Sequence, residues 1–225
     1  MYRMANKHNV AYVFEGHSFQ TEGVSPIGVS YTDGQFIKSV VKVHSGRKLK
    51  SYPNMTFWRF LRWVLFKRIK KIRPLWYIKY NKKDAQDLLA KEYGWMNYGG
   101  HHLENRISAF DHSFLMPTKF KVDQRNNSLS ASVRSKLIDR NKAVQLYAEP
   151  PLLEQGIINY VRKRLKLSET EFNEILNGPI RNFTNYKTYK SRFEKFRFLF
   201  SILANMNLVP YSFYQKYCFP IKDAS

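Results

Sequence analysis

The run Val10-Ala11-Tyr12-Val13-Phe14 constrains the fold more than any other stretch, because it is the clearest strand in a chain that otherwise reads mostly as helices. Short apolar runs with β-branched residues, closed by a polar turn, are the pattern of a buried strand. Tyr2 to His8 before it reads as the end of a helix. The strand runs straight into Glu15-Gly16-His17-Ser18-Phe19-Gln20-Thr21-Glu22-Gly23, a polar turn with glycines at both ends. In open α/β sheets, ligands collect at the C-terminal ends of strands. The chain is therefore expected to open in the middle of an α/β unit. The turn is either a ligand-facing loop or a plain surface connection.

Helical patterns dominate further on. Lys48-Leu49-Lys50-Ser51-Tyr52 alternates and is read as a strand ended by Pro53. Phe57 to Ile72 follows a helical period, with Trp58, Leu61, Leu65, Ile69 and Ile72 on one face and Pro74 as the stop. Asn81 caps a helix to Tyr93, with Gly94 at its end. Asp139 or Asn141 starts another to Ala148, before Pro150-Pro151. Ser168-Glu169-Thr170-Glu171 is a capping box opening a helix to Leu176. Tyr189 to Met206 reads as one helix with Phe193, Phe196, Phe200 and Leu203 on one side, and the remainder reads as irregular. The division expected is an α/β part over residues 1–55 and a mainly helical region over 56–225.

The charge balance narrows the partners. There are 38 Lys and Arg against 17 Asp and Glu, a net charge of +21. No acidic residue occurs between Asp33 and Asp84. Such an excess attracts nucleic acid, anionic lipid or phosphorylated substrates. No recognised RNA- or DNA-binding motif is present, so nucleic acid ranks last. The segment 57–73 has three readings: a core helix with a solvated basic face, a helix lying on anionic lipid, or a docking surface for another subunit. Aromatic residues make up 16% of the chain, which is the composition of a folded protein. The single cysteine, Cys218, permits no disulfide within the chain and points to the reducing cytoplasm. No apolar run is long enough for a membrane span.

The densest polar stretch is Tyr98-Gly99-Gly100-His101-His102-Leu103-Glu104-Asn105-Arg106, followed by Met116-Pro117-Thr118-Lys119-Phe120-Lys121-Val122-Asp123-Gln124-Arg125. Gly99 and Gly100 let backbone N–H groups approach a ligand. His102 and Arg106 would share a face of the helix expected there. Lys119, Asp123 and Arg125 place two cations and a carboxylate within seven residues, a group suited to an oxyanion or to a surface salt-bridge cluster. His101, His102 and Glu104 lack a third ligand at a known metal spacing, so no metal site is assigned.

Taken in order, these motifs resemble a family. Tyr98-Gly99-Gly100-x-His102-x-Glu104-x-Arg106 and Leu115-Met116-Pro117-x-Lys119-Phe120-x-Val122-Asp123-x-Arg125 look like the C-terminal signature of the N-acetyl sugar amidotransferases. These are PP-loop ATP-pyrophosphatases of bacterial surface-polysaccharide (lipopolysaccharide and O-antigen) synthesis. Glu15-Gly16-His17 with Thr21-Glu22-Gly23-Val24-Ser25-Pro26 is similar to their glycine–histidine loop. Leu49-Lys50-Ser51-Tyr52-Pro53 resembles the following strand, and Tyr80-Asn81-Lys82-Lys83 with Gly94-Trp95 the approach to the signature.

The resemblance implies that residues 1–55 are the C-terminal remainder of an α/β domain like the adenine-nucleotide α-hydrolases, and that 98–125 carries the signature. It implies use of ATP with Mg²⁺ to activate the 2-acetamido group of a nucleotide-linked sugar. Ammonia then displaces AMP to leave an acetamidino group, supplied by a glutaminase through a cyclase-like subunit. Lys119, Asp123 and Arg125 would act at the phosphate or substrate anion. Gly16, His17, Thr21 and Glu22 would face nucleotide or sugar, and Gly99, Gly100, His102, Glu104 and Arg106 would complete the wall. The pattern is broken in places. The family's Ser-Gly-Gly-x-Asp-Ser phosphate loop is not in the sequence, so no ATP site can be pointed to within this chain. His101 and Gln124 stand where the family has Lys, Ser128 where it has His, and Ser108 where it has Thr. A catalytically inactive, truncated remnant of the family therefore stays open beside the enzyme.

Overall fold

The computed structural model describes residues 1–23, 31–97, 103–206, 208, 209 and 211–220. The chain divides into two compact units. One comprises Met1–Val13, Ser25–Lys71 and Arg181–Ser225, and the other Phe14–Val24 and Ile72–Ile180.

The first unit opens with helix α1 (Tyr2–Lys7), as the sequence leads one to expect. Strand β1 (Tyr12–Phe14) follows it and pairs with β2 (Lys70–Ile72). The Lys70 N–H donates to Ala11 O and the Glu15 N–H to Ile72 O, both at 2.8 Å, so the two strands run parallel. The expected burial of β1 is corrected: Tyr12 and Phe14 are exposed. A ribbon of two three-residue strands offers no face broad enough to cover these rings. Lys48–Tyr52 is not a strand either. It ends in a tight turn, where the Asn54 N–H reaches back across Pro53 to Tyr52 O at 2.8 Å.

Helix α3 (Gly34–Ser45) follows the single turn α2 (Phe19–Glu22), which belongs to the other unit. Asp33 caps α3 by accepting the Phe36 N–H at 2.7 Å. The same carboxylate accepts the phenol of buried Tyr31 and the backbone N–H of Tyr189, the latter at 2.7 Å. One side chain thus ties α3 to the start of α11 (Lys190–Lys195). At Gly34 a Cβ would lie 2.0 Å from Met55 O, a separation that only glycine permits.

The expected helix over 57–72 stops early. Helix α4 (Phe57–Leu61) widens into a π-helical turn over Arg62–Phe66, and Arg68 turns left-handed at φ 50°. This break sends Ile69 inward, 3% exposed, against Tyr2 and Ala5, with Val13, Trp63 and Val64 around them. Tyr2 stacks on Trp63 at 5.9 Å between ring centroids. Ile72 consequently falls in β2 instead of on a helical face.

The expected helix over 189–206 is two helices, α11 and α12 (Arg197–Asn205), with the break at Phe196. Phe193 and Phe200 are buried but Phe196 is exposed. The tail expected to be irregular holds α13 (Tyr211–Tyr217). Its Phe213, Tyr214 and Tyr217 pack on Phe193, Phe200 and Cys218, with Phe57, Tyr189 and Leu203. Aromatic rings replace the period-2 or period-3.6 pattern as the signal here, so this helix is legible only through its packing.

The second unit is helical after a 3₁₀ turn at Pro74–Trp76: α5 (Lys82–Tyr93), α6 (Arg106–Phe110), α7 (Arg125–Arg134), α8 (Arg140–Ala148), α9 (Ile157–Arg164) and α10 (Glu169–Asn177). The caps at Asn81, Asp139 and Ser168 and the left-handed Gly94 all form as expected. Helix α6 continues as a π-helix over Asp111–Phe120, which contains Pro117. Phe110, Ile157 and Val161 form the core, with Phe114, Leu115, Ile158 and Phe172 against it.

Two expectations follow for the first unit. Gly34→Ala forces the Met55 carbonyl to move and should lower stability by roughly 3 kcal/mol, the upper end for overpacking. Thermal unfolding of that variant should show a Tm lower by about 6–12 °C. Burial, and then the Asp33 carboxylate, push the Tyr31 phenol far above its ordinary pKa of 10. A raised pKa means that the stabilisation is complete below the unfolded value and is lost as pH climbs beyond it. Urea midpoints should therefore fall above about pH 10, and Tyr31→Phe should flatten that fall.

Candidate functional site

The signature residues Lys119, Asp123 and Arg125 lie in the second unit, and each is built into the ends of helices. Helix α8 ends at Glu149, whose extended backbone (φ −69°, ψ 141°) is what a following proline, Pro150, demands. That geometry rules out a left-handed glycine-type cap, so the last carbonyls lack a backbone partner. Arg125 supplies the donors. Its guanidinium gives hydrogen bonds to Leu146 O (3.1 Å), Tyr147 O (3.3 Å) and Glu149 O (2.7 Å). Asp123 holds that guanidinium from behind, with Nε to Oδ1 at 3.1 Å and Nη2 to Oδ2 at 2.6 Å. The hydrogen bond from Arg125 to Asp123 raises the arginine's pKa further.

Helix α10 repeats the device. It ends at Gly178, before Pro179, in extended conformation (φ −64°, ψ 165°). The Lys119 ammonium donates to Ile175 O and to Gly178 O, the latter at 3.1 Å. A cation at a helix C-terminus also meets the negative end of the helix dipole. The first unit contains a third case. Lys190, 5% exposed, donates to Tyr217 O and to Phe219 O just before Pro220, and pairs with Glu194. At all three ends the carbonyl preceding proline is an acceptor.

Arg106 and Glu104 are less buried. Arg106 pairs with Glu154 and lies 4.7 Å over the Tyr160 ring, joining the start of α6 to α9. Asn105 caps the helix that begins at Arg106, and the face that His102 was expected to share with Arg106 falls in part outside the described residues. Gly99, Gly100 and His102 lie outside the described residues.

The glycine–histidine loop is also in the second unit. Glu15 pairs with Arg73 at 2.5 Å. The Trp76 indole N–H donates to His17 Nδ1 at 3.3 Å, which leaves His17 Nε2 to donate to Gly23 O at 3.3 Å. Thr21 is buried, and Gly16 is exposed with open space around it. Gly23 has φ +68°, and a Cβ there would meet Asn127 O at 2.8 Å, so α2 lies directly on α7. Glu22 accepts the Ser18 N–H at 3.2 Å and faces Tyr80, whose pKa is raised by burial and then by that carboxylate.

Tyr80 leads to a feature that the sequence reading did not pick out. An open groove of about 620 Å³ is lined by Lys79, Tyr80, Asn81, Asp84, Leu88 and Lys136, among others. Its two lysines, tyrosine and asparagine can bind a phosphate-bearing ligand and hydrogen-bond its hydroxyls. The Tyr80-Asn81 pair was visible as a motif, but Lys136 lies more than fifty positions away and only folding brings it there. Among the described residues, no three His, Cys, Asp or Glu side chains gather to hold a metal ion.

Comparison with known families agrees with the signature region. Residues 104–203 match the family model described as LPS biosynthesis protein WbpG-like, C-terminal domain. That stretch is thus similar to a domain of lipopolysaccharide biosynthesis proteins. It includes Glu104, Arg106, Lys119, Asp123, Arg125 and Lys190, while the glycine–histidine loop lies outside it. No curated protein and no solved structure matches the chain.

Arg125→Ala should cost roughly 2–3 kcal/mol, because it strands the α8 carbonyls and leaves Asp123 without its partner. Arg125→Lys keeps the charge but not the fork and should recover less than half of this, as chemical denaturation of the two variants can measure.

Proposed function

We propose that the chain is the C-terminal part of an ATP-dependent N-acetyl sugar amidotransferase, acting in the cytoplasm on a nucleotide-linked sugar for lipopolysaccharide. The observation that carries this reading is the family match over residues 104–203, which falls on the half of the signature that holds Glu104 to Arg125. The activity follows from chemistry. An acetamide is a poor electrophile, and adenylation of its oxygen creates a leaving group that ammonia can displace. A glutaminase with a cyclase-like subunit would supply that ammonia.

The residues divide the work. Lys119, Asp123 and Arg125 act as positioning residues, fixing the ends of α10 and α8. The groove beside the glycine–histidine loop takes the diphosphate of the sugar nucleotide, with Lys79 and Lys136 as point charges and Tyr80 and Asn81 for hydroxyls. Gly16 leaves open space in that loop. ATP with Mg²⁺ is not assigned to any residue here. The sequence has no phosphate loop, and the described residues gather no carboxylate cluster.

The test is calorimetric titration of the full chain with a uridine-diphosphate N-acetyl sugar. Binding should be measurable and should weaken about tenfold or more in the Lys79→Gln, Lys136→Gln double variant, since each cation removed from a phosphate contact costs on the order of 1 kcal/mol. Absence of binding, or binding indifferent to both changes, would refute the assignment. Release of AMP and an acetamidino product, with ATP and ammonium present, reads the activity itself.

A further inference from the structure

We infer that the outer face of α4 and its π-helical continuation docks on an anionic lipid surface. The face is built from residues at helical spacing. Trp58, Leu65 and Phe66 are 75%, 53% and 81% exposed, with exposed Arg62 between them. The opposite side of the same segment is already occupied: Phe57 packs on Phe193, and Trp63 and Val64 pack on Tyr2, Ala5 and Ile69. The segment is therefore apolar on two sides: one packs into the core, while on the other Trp58 touches the edge of Phe57 and it, Leu65 and Phe66 stay largely exposed. A core helix with a solvated basic face does not account for an exposed tryptophan and phenylalanine on the cationic side.

Charge complementarity identifies the occupant. Arg59, Arg62, Lys67, Arg68 and Lys70 are all exposed around these three side chains. No carboxylate occurs anywhere from Gly34 to Lys83 to offset them. Tryptophan and phenylalanine amid lysine and arginine suit a headgroup layer, where rings enter the acyl boundary and cations stay among phosphates. Among the described residues, no helix is long and apolar enough to cross a membrane. The geometry is thus that of a segment lying on a bilayer, and it stands independently of the groove proposed for the sugar nucleotide.

The experiment is co-sedimentation of the full chain with vesicles of phosphatidylcholine alone or with 30% phosphatidylglycerol added (about one anionic headgroup in three). Binding to the anionic vesicles should be accompanied by a blue shift of tryptophan emission, and binding to neutral ones should be weak. The Trp58→Ala, Phe66→Ala variant should lose most binding and the blue shift. Arg62→Gln, Lys67→Gln and Lys70→Gln together should lower affinity by roughly fivefold per charge and weaken its salt dependence. Both variants alter exposed side chains, and circular dichroism should show helix content unchanged. No binding to anionic vesicles, equal binding to neutral ones, or binding unmoved by either variant would overturn the inference. An acidic protein surface as the occupant would give the first of these results.

Discussion

A cation seated on the carbonyls of a helix that ends before proline is the interaction on which this structure depends. Proline removes the easy solution. Its ring forces the preceding residue into extended backbone, so the helix cannot close with the left-handed residue that ends α3 at Gly46 and α5 at Gly94. The free carbonyls then need donors from elsewhere in the chain. Lys119, Arg125 and Lys190 provide them for α10, α8 and α13. Each contact joins residues 20 or more apart, so each closes a long loop as well as a helix.

This arrangement recasts the signature. Read as a string, Lys119, Asp123 and Arg125 look like an anion-binding cluster. Folded, their charges are directed at backbone carbonyls, and Asp123 orients Arg125 through two oxygens. The more open cations, Lys79 and Lys136, border the groove beside Tyr80.

Polar contacts in the first unit follow a similar logic. Asp33 serves as cap, as acceptor for Tyr31 and as acceptor for the Tyr189 N–H. One carboxylate joins segments more than 150 positions apart. The aromatic cluster around Phe193 and Phe200 packs beyond it, and Cys218 is sealed there with its thiol pKa pushed up by burial.

The sequence by itself determined the helix starts and the glycine ends. Asn81, Asp139 and Ser168 cap through neighbours two or three positions away, and Gly94 needs only its own freedom at positive φ. Such contacts are local, so spacing reveals them. It also determined the likeness of residues 104–203 to a domain of lipopolysaccharide biosynthesis proteins. Tertiary structure alone decided where the long segments break. The demand to bury Ile69 ends the helix that periodicity carries to Ile72, and the Phe193 cluster turns a tail without clear period into α13. It decided, too, that Phe14 stays exposed, since a strand is buried only if something broad enough covers it. Prolines 150, 179 and 220 announce three helix ends in the sequence. Which cation reaches each of them depends on packing between distant segments, and no local pattern encodes that.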